Sequence, residues 1–300
     1  MRFFRSIVPF AAILLCADLA QAAEIQTATG TVSIDGVPKS VAVFDIAALD
    51  TLDRLGIKPS GIPDNLYLPE LSHLKDGAKV VGTLFEPDLE ALSEIAPDLI
   101  IVGGRSSSKV EAAAQVAQTI DMTMNGDDLL NQAKARLAAY GTLFAKPDEV
   151  KAAEAELDAA VEAARAAVKG KGKALIIMTN GPKVSAYGLG SRFGWVHRSL
   201  DLPAAVDDVE AANHGEAVSF EFIRKANPDW LLVLDRAAAI GSGEAGARAT
   251  LDNELVAETT AWKKGQVVYL PSADFYIAAG GVQSMSRVFK AVTDAFAAAK

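Results

Sequence analysis

Cysteine is almost absent from this chain, and its position removes it from the folded protein. The 300 residues include one cysteine, Cys16, and it lies in a segment that we expect to be cleaved off. A mature chain without cysteine has no disulfide bond and no thiol nucleophile. Proline is also scarce, with 12 residues, whereas 50% of the residues are hydrophobic, which excludes a disordered chain.

The start of the chain has the pattern of an export signal. Two arginines precede an apolar run over residues 7–15, and Ala20-Gln21-Ala22 has the small-x-small pattern of a cleavage site. The apolar run is too short to span a bilayer. We therefore expect residues 1–23 to be a signal peptide, cleaved near Ala22/Ala23, and the mature protein to be periplasmic. Leu15 stands where a lipoprotein signal requires a small residue, so no lipid anchor is expected.

Positive charge is in deficit, which excludes several classes of partner. The formal net charge is −9, and removal of residues 1–23 makes it more negative. Such a protein is poorly suited to bind nucleic acid or anionic lipid. Motifs of common enzymes are missing as well: there is no P-loop, no G-x-S-x-G, and no HExxH or CxxC metal site.

One pattern is present twice. Residues 90–105 read EALSEIAPDLIIVGGR and residues 221–236 read EFIRKANPDWLLVLDR, and the two segments align without a gap. Each copy predicts a helix that begins with an acid, a Pro-Asp turn, a buried strand and an arginine just past that strand. The repeat indicates a protein of two similar halves with a cleft between them.

The order of predicted elements supports an α/β fold of two lobes. Strand and helix patterns alternate in both halves, which favours mostly parallel central sheets. Between them, residues 147–168 form a long helical pattern without internal glycine or proline. At 1.5 Å per residue this helix spans about 33 Å, enough to cross from one lobe to the other. We predict an N-terminal lobe over 24–144, a linking helix over 145–170 and a C-terminal lobe over 171–300.

Arginines are the first candidates for a binding site. Arg105 and Arg236 follow repeat-equivalent strands, and Arg192 lies in the glycine-rich stretch that follows another predicted strand. Ligands of open α/β sheets bind beyond the carboxyl ends of the strands. Three arginines there would form a cationic cleft for an anionic ligand, held by charge-assisted hydrogen bonds. The alternative is that all three are solvated surface residues.

Two further residues could act on a metal. His214 lies in a polar loop, Ala-Asn-His-Gly-Glu, and Tyr276 follows the last predicted strand. An imidazole and a phenolate could complete the coordination of a hard cation such as Fe(III), if the ligand itself supplied the remaining donor atoms. Alternatively, His214 is a solvated loop residue and Tyr276 packs under the last helix.

With these residues in place, the chain resembles periplasmic siderophore-binding proteins of ABC importers, most closely those for catecholate siderophores and petrobactin. The resemblance covers the whole mature chain. It implies that Arg105, Arg192 and Arg236 bind a negatively charged ferric catecholate, while His214 and Tyr276 coordinate the iron. It also implies that Glu90 and Glu221, one in each repeat copy, dock on the permease, although both also suit a helix N-terminus.

We therefore expect a substrate-binding protein of the class III type, not an enzyme, that delivers an anionic ferric catecholate siderophore to an inner-membrane permease. No intrinsic cofactor is expected, because ferric iron arrives with the siderophore, and the protein is expected to be a monomer. The long helix should limit the hinge motion. Two alternatives stay open: the same fold could bind haem, cobalamin or a hydroxamate siderophore, or the chain could be a two-lobed α/β enzyme.

Overall fold

The computed structural model describes residues 22–125, 128–209, 215–242 and 246–299. The predicted signal peptide, apart from its last two residues, and His214 lie outside these ranges. Each half of the described chain is an α/β lobe with its own sheet. The elements of the N-terminal half and the long helix are β1 (Ala23–Thr27), β2 (Gly30–Ile34), β3 (Val41–Val43), α1 (Ile46–Arg54), β4 (Gly61–Ile62), β5 (Lys79–Val80), α2 (Leu89–Ile95), β6 (Leu99–Val102), α3 (Val110–Ala113), β7 (Thr119–Asp121), α4 (Leu129–Leu143) and α5 (Pro147–Val168).

Two short 3₁₀ helices, Pro69–Lys75 and Ser107–Lys109, complete the N-terminal half. The C-terminal half has the same alternation of strands and helices. The elements that follow α5 are β8 (Ala174–Asn180), β9 (Lys183–Tyr187), α6 (Trp195–Leu200), β10 (Glu216–Val218), α7 (Phe220–Ala226), β11 (Trp230–Asp235), α8 (Arg236–Ile240), α9 (Ala247–Leu251), α10 (Glu254–Ala257), α11 (Thr260–Lys263), β12 (Val267–Tyr269), α12 (Ser272–Tyr276) and α13 (Val282–Ala298).

Both sheets have parallel strands in their centre, but the C-terminal sheet has antiparallel pairings at one side. The N-terminal sheet has the order β5-β4-β3-β6-β7 and all its pairings are parallel. The C-terminal sheet has the order β10-β9-β8-β11-β12, in which β8, β11 and β12 are parallel and β9 and β10 are antiparallel additions. The reason is the connection between β8 and β9. It is two residues long, Gly181-Pro182, and so short a link joins only antiparallel strands.

The sequence repeat is also a structural repeat. Helices α2 and α7 begin and end at aligned residues, and each is N-capped by a side chain, Asp88 in one copy and Ser219 in the other. Each ends in a left-handed residue, Ala96 or Asn227. The aspartate that follows then accepts hydrogen bonds from the start of a neighbouring strand segment: Asp98 from the amides of Lys39 and Ser40, and Asp229 from the amide of Lys173.

Helix α5 has the bounds that the sequence predicts, Pro147–Val168. Proline suits its first turn, and the acids Asp148 and Glu149 suit the positive end of the helix dipole. Its buried face contains Ala153, Leu157, Val161, Ala164 and Val168, at intervals of three and four residues. This face packs against α13, so the two longest helices form a common base for both lobes.

Other elements differ from the sequence prediction. The hairpin β1–β2 and the strand β7 were not predicted, and the helix α3 that precedes β7 has only four residues. Tyr276 follows the last strand as predicted, but it is the last residue of a short helix, α12, that was not predicted. These elements are three to five residues long, and such lengths leave too few residues for a hydrophobic period to develop.

Candidate functional site

Arg105 lies at the carboxyl edge of the N-terminal sheet, three residues after β6. The turn before it depends on glycine: a Cβ on Gly103 would collide with the carboxylate of Asp45, and Gly104 has φ of 51°. The amide of Gly104 donates to Thr123 Oγ1 at 2.8 Å, which fixes the turn. The Arg105 guanidinium then crosses to the other lobe, where Nη2 donates to the carbonyl oxygen of Tyr276 at 2.9 Å.

Arg192 approaches the same carbonyl from the C-terminal lobe. It lies in the glycine-rich turn after β9, which is closed by a hydrogen bond from Ser191 Oγ to the carbonyl of Gly188 at 2.6 Å. Its Nη2 donates to Tyr276 O at 2.8 Å. The guanidinium carbon also lies 5.1 Å from the ring centroid of Phe193 and 4.9 Å from that of Tyr276, within cation–π distance.

Arg236 completes the cluster from the carboxyl edge of the C-terminal sheet. It is the first residue of α8, and Asp235 caps that helix by accepting from the amide of Ala238 at 3.0 Å. Arg236 Nε donates to the phenol oxygen of Tyr276 at 3.4 Å, and its Nη1 donates to Asn180 Oδ1 at 3.1 Å. The structure therefore brings the three predicted arginines and Tyr276 together. We refer to these four residues as the arginine–tyrosine cluster.

The positive charge of the cluster is little offset by salt bridges within the described residues, although the charge of Arg105 acts on the buried carboxyl group of Asp45. Among the residues that the structure describes, none of the salt bridges involves the three arginines. Burial, together with the charge of Arg105, lowers the pKa of Arg192. Three cations held close together with so little compensation favour an anionic ligand.

Tyr276 is half-buried, and its phenol responds to these charges. Burial alone would raise its pKa. The hydrogen bond from Arg236 and the charges of Arg192, Arg236 and Arg105 outweigh burial, so that the pKa of Tyr276 falls below its ordinary value. Phenolate is the form that coordinates Fe(III), so this environment favours a metal-binding role for the residue.

A groove of about 710 Å³ begins at this cluster. Arg236 and Tyr276 form one end, and the groove continues over β8 and β9 to the start of α7, where Glu221 lies on its rim. Another groove of similar size, about 740 Å³, lies at the end of α5 and is lined by Arg165, Lys169 and Lys173. That groove contains none of the predicted site residues and no phenol, so we assign the binding site to the first.

Two residues of this region were missed by the sequence analysis. Asn180 holds Arg236, and Tyr187 lies beneath the cluster with its hydroxyl directed at Met178 Sδ, 3.7 Å away. Burial raises the pKa of Tyr187 to about 12, against the charges of Arg192 and Arg236, so this second phenol stays neutral. Asn180 ends the parallel strand β8, so the rule that drew attention to the arginines would have found it, whereas Tyr187 ends the antiparallel strand β9, to which that rule does not apply.

His214 lies outside the described residues, but its neighbour in the chain does not. A Cβ on Gly215 would lie 2.7 Å from Cζ of Tyr187, so the Gly215 backbone packs directly on that ring. Gly215 also has φ of 73°, which a residue with a side chain adopts at a cost. Among the described residues there is no cluster of three or more histidine, cysteine or acidic side chains that could bind a metal.

Glu90 and Glu221 occupy equivalent positions of the internal repeat, and neither contacts the arginine–tyrosine cluster. Each is the second residue of its repeat helix, α2 or α7, and each is exposed. Asp88 Oδ1 caps α2 by accepting from the amide of Glu90 at 3.0 Å. A bond from its own backbone amide, and then one from Ser219, lower the pKa of Glu221. Each lobe thus presents one exposed glutamate at the start of its repeat helix.

A sequence model of the periplasmic binding protein family matches residues 41–273, which is most of the chain. The chain belongs to the periplasmic binding protein family. Among the curated relatives of this binding protein is the petrobactin-binding protein YclQ of Bacillus subtilis, which is 37% identical over 261 residues, covering 86% of this chain and 82% of YclQ. None of the helices in the described parts of the chain has the length and apolar character needed to cross a membrane.

Solved structures agree with the two-lobed fold. The crystal structure of YclQ matches with a TM-score of 0.84 and 35% identity, covering 92% of this chain and 99% of that one. The catecholate-siderophore binding protein VctP of Vibrio cholerae matches with a TM-score of 0.84 and 29% identity, covering 91% and 100%. The siderophore binding protein BauB, bound to two acinetobactin molecules and ferric iron, matches at 0.82 and 27%, covering 92% and 99%. The resemblance and the fold class predicted from the sequence are confirmed, and the relatives are binding proteins.

Proposed function

We propose that this binding protein captures an anionic ferric catecholate siderophore in the periplasm and delivers it to an ABC permease. The observation that carries the proposal is the arginine–tyrosine cluster: three guanidiniums that form no salt bridge within the described residues converge on one tyrosine, two at its carbonyl oxygen and one at its phenol oxygen. The names of YclQ and VctP, a petrobactin and a catecholate binder, support the same ligand class.

In this proposal the arginines neutralise the ligand and Tyr276 binds its iron. A ligand that supplies four catecholate oxygens leaves two positions of an octahedron, which Tyr276 and His214 would fill. His214 enters on the sequence resemblance, supported by the packing of Gly215 on Tyr187 beside the cluster. The iron is cargo, and the reaction is binding and release without turnover.

The proposal also includes the processing of the chain, its division into lobes and its contact with the permease. Residues 1–23 are removed as a signal peptide without a lipid anchor, and the mature protein is a monomer. Its parts are an N-terminal lobe over 24–144, a linking helix over 145–170 and a C-terminal lobe over 171–300. Glu90 and Glu221 contact the permease, one from each lobe. Their equivalent exposed positions in the repeat helices support this role.

Fluorescence quenching by a panel of separate ligands tests the proposal. Trp195 is buried against Phe275, with ring centroids 5.6 Å apart, and Phe275 stacks on Phe193, the neighbour of Arg192 in the chain. Trp195 is therefore close to the cluster, and a bound ligand that absorbs light should quench the fluorescence of Trp195. We expect quenching by ferric bis-catecholate and by ferric petrobactin, and none by a neutral ferric hydroxamate, haem or cobalamin at the same concentration. Tighter binding of the hydroxamate than of the catecholate would reject the proposal, because a neutral complex does not need three arginines.

A further inference from the structure

The N-terminus of α13 is capped by residues of another helix, α1, which belongs to the opposite lobe. Gly281 at the N-cap position has no side chain to offer. The first helical amide, of Val282, donates to Thr51 Oγ1 at 3.3 Å. The next two, of Gln283 and Ser284, both donate to Asp50 Oδ2, at 2.8 and 3.0 Å. Amides that a helix leaves without partners are thus satisfied across the molecule.

This arrangement has little room for substitution. A Cβ on Gly281 would lie 2.5 Å from Asp50 Oδ2, so glycine allows the carboxylate to reach the amides. Asp50 is fully buried, and its other oxygen, Oδ1, accepts from Ser284 Oγ at 2.9 Å and from Arg287 Nη2 at 2.8 Å. Both oxygens therefore face donors only, and a carboxylate is the one common side-chain group of this size that accepts at both.

Arg287 continues the connection to the binding site. Its Nε donates to Asp274 Oδ1 at 2.7 Å, and Asp274 is almost fully buried in α12. That helix ends two residues later at Tyr276, whose carbonyl accepts from Arg105 and Arg192. One side of this short helix is therefore fixed by an ion pair, and the other presents the phenol to the cleft.

We propose that Asp50, Arg287 and Asp274 are positioning residues that fix the helix carrying Tyr276 to the N-terminal lobe, and so hold Arg105 and Tyr276 together before a ligand arrives. Breaking a buried charge pair from one side leaves an uncompensated charge, so the lobes would shift to solvate it. The ligand would then have to restore the geometry at the expense of affinity. The part of this inference that concerns affinity rests on the proposed function.

A ligand-free measurement tests the lobe coupling. Spin labels on Glu94→Cys and Lys225→Cys, two exposed and repeat-equivalent positions in α2 and α7, report the distance between the lobes by pulsed EPR. We expect Asp50→Asn to broaden the distance distribution, because an amide would face a donor whichever way it turns. Asp274→Asn keeps the cap and serves as the second variant, should Asp50→Asn fail to fold.

Two controls separate positioning from simple loss of stability. Asp294→Asn makes the same chemical change on α13, in an exposed pair with Lys290. Leu251→Ala lowers stability through the outer core of the C-terminal lobe, away from both α12 and α13. Both controls should keep the wild-type distance distribution. If Asp274→Asn and Asp50→Asn also keep it while folded, the positioning role is overturned.

Binding of ferric bis-catecholate supplies the second readout. We expect Asp274→Asn to bind about tenfold more weakly than wild type, a change of about 1.4 kcal/mol, with a weakened tyrosinate-to-iron charge-transfer band, while both controls keep affinity and band. An unchanged affinity and band would count against positioning. If wild type itself does not bind the complex, the proposed function fails, and the EPR result still decides the positioning role on its own.

Discussion

Arg105 and Arg236 occupy equivalent positions of the internal repeat, and both donate to the same residue, Tyr276. Arg105 Nη2 reaches its carbonyl oxygen at 2.9 Å from the N-terminal lobe, and Arg236 Nε reaches its phenol oxygen at 3.4 Å from the C-terminal lobe. The repeat thus places one cation on each side of the cleft, and a single tyrosine lies between them. The predictions below follow from this arrangement.

Removing either charge should weaken ligand binding and reduce its dependence on salt. Hydrogen bonds to charged groups contribute about 1.5–3 kcal/mol each, so Arg105→Gln or Arg236→Gln should raise the Kd for ferric bis-catecholate by about 10- to 100-fold. Arg224→Gln, an exposed arginine paired with Glu258, is the matched control and should bind as wild type. Equal losses in all three variants would indicate a general effect of net charge instead of a site.

Tyr276 should ionise at a lower pH than an ordinary tyrosine. The hydrogen bond from Arg236 and the three positive charges stabilise the phenolate, and they outweigh burial, which favours the neutral form. In Arg236→Gln one charge and one hydrogen bond are lost, so the pKa of Tyr276 should rise. A spectrophotometric titration of tyrosinate, with Tyr276→Phe subtracted, measures both values. A wild-type pKa above the ordinary tyrosine value would contradict the electrostatics described above.

The exposed glutamates should matter for transport and not for capture. Glu90 does not line the groove, so Glu90→Ala should keep ferric catecholate affinity within about twofold of wild type. Glu221 lines the groove but contacts none of the cluster, and loss of its negative charge should not weaken binding of an anion, so Glu221→Ala should bind at least as tightly as wild type, within about twofold. Uptake by the reconstituted permease should fall in each variant and fall further in the double variant. Glu254→Ala, an exposed acid at the start of α10, is the control. Normal uptake by the double variant would exclude these residues from docking.

The base of the molecule should be sensitive to one aromatic contact. Trp230 of β11 stacks on Phe296 of α13 with ring centroids 3.6 Å apart, and both residues are fully buried. Phe296→Ala should lower the free energy of unfolding by about 3–5 kcal/mol, as measured by denaturant titration. Lys290→Ala on the exposed face of the same helix should change it by less than about 0.5 kcal/mol. A loss below 1 kcal/mol in Phe296→Ala would mean that the stacking is dispensable.

The sequence was sufficient for elements whose boundaries are determined locally. Helices α2 and α7 lie where the repeat predicts them, because Asp88 and Ser219 cap their starts and a proline follows each end by two residues. Arg236 and Tyr276 come together as expected, because both follow parallel strands of the C-terminal sheet, whose carboxyl ends meet at one edge. Arg105 joins them from the edge of the other sheet. Arg192 joins them from the turn after the antiparallel strand β9, to which this rule does not apply.

Contacts between distant segments could not be read in this way. The capping of α13 by Asp50 joins residues more than 230 positions apart, and neither segment has a local pattern that indicates the other. Helix α12 has five residues, too few for a helical period, so the sequence analysis did not predict it. Tyr187 was overlooked because its role depends on which neighbours the antiparallel strand β9 brings to it.

The most direct test of the account is an absorbance titration with ferric bis-catecholate. Three proteins are titrated: the wild type, the single variant Tyr276→Phe, and the double variant that combines His214→Ala with Tyr276→Phe. The account predicts a charge-transfer band that shifts on binding to wild type, is reduced in Tyr276→Phe and stays at its free position in the double variant. Tight binding with the same band in all three proteins would contradict direct coordination of the iron by Tyr276, and absence of binding to wild type would contradict the ligand itself.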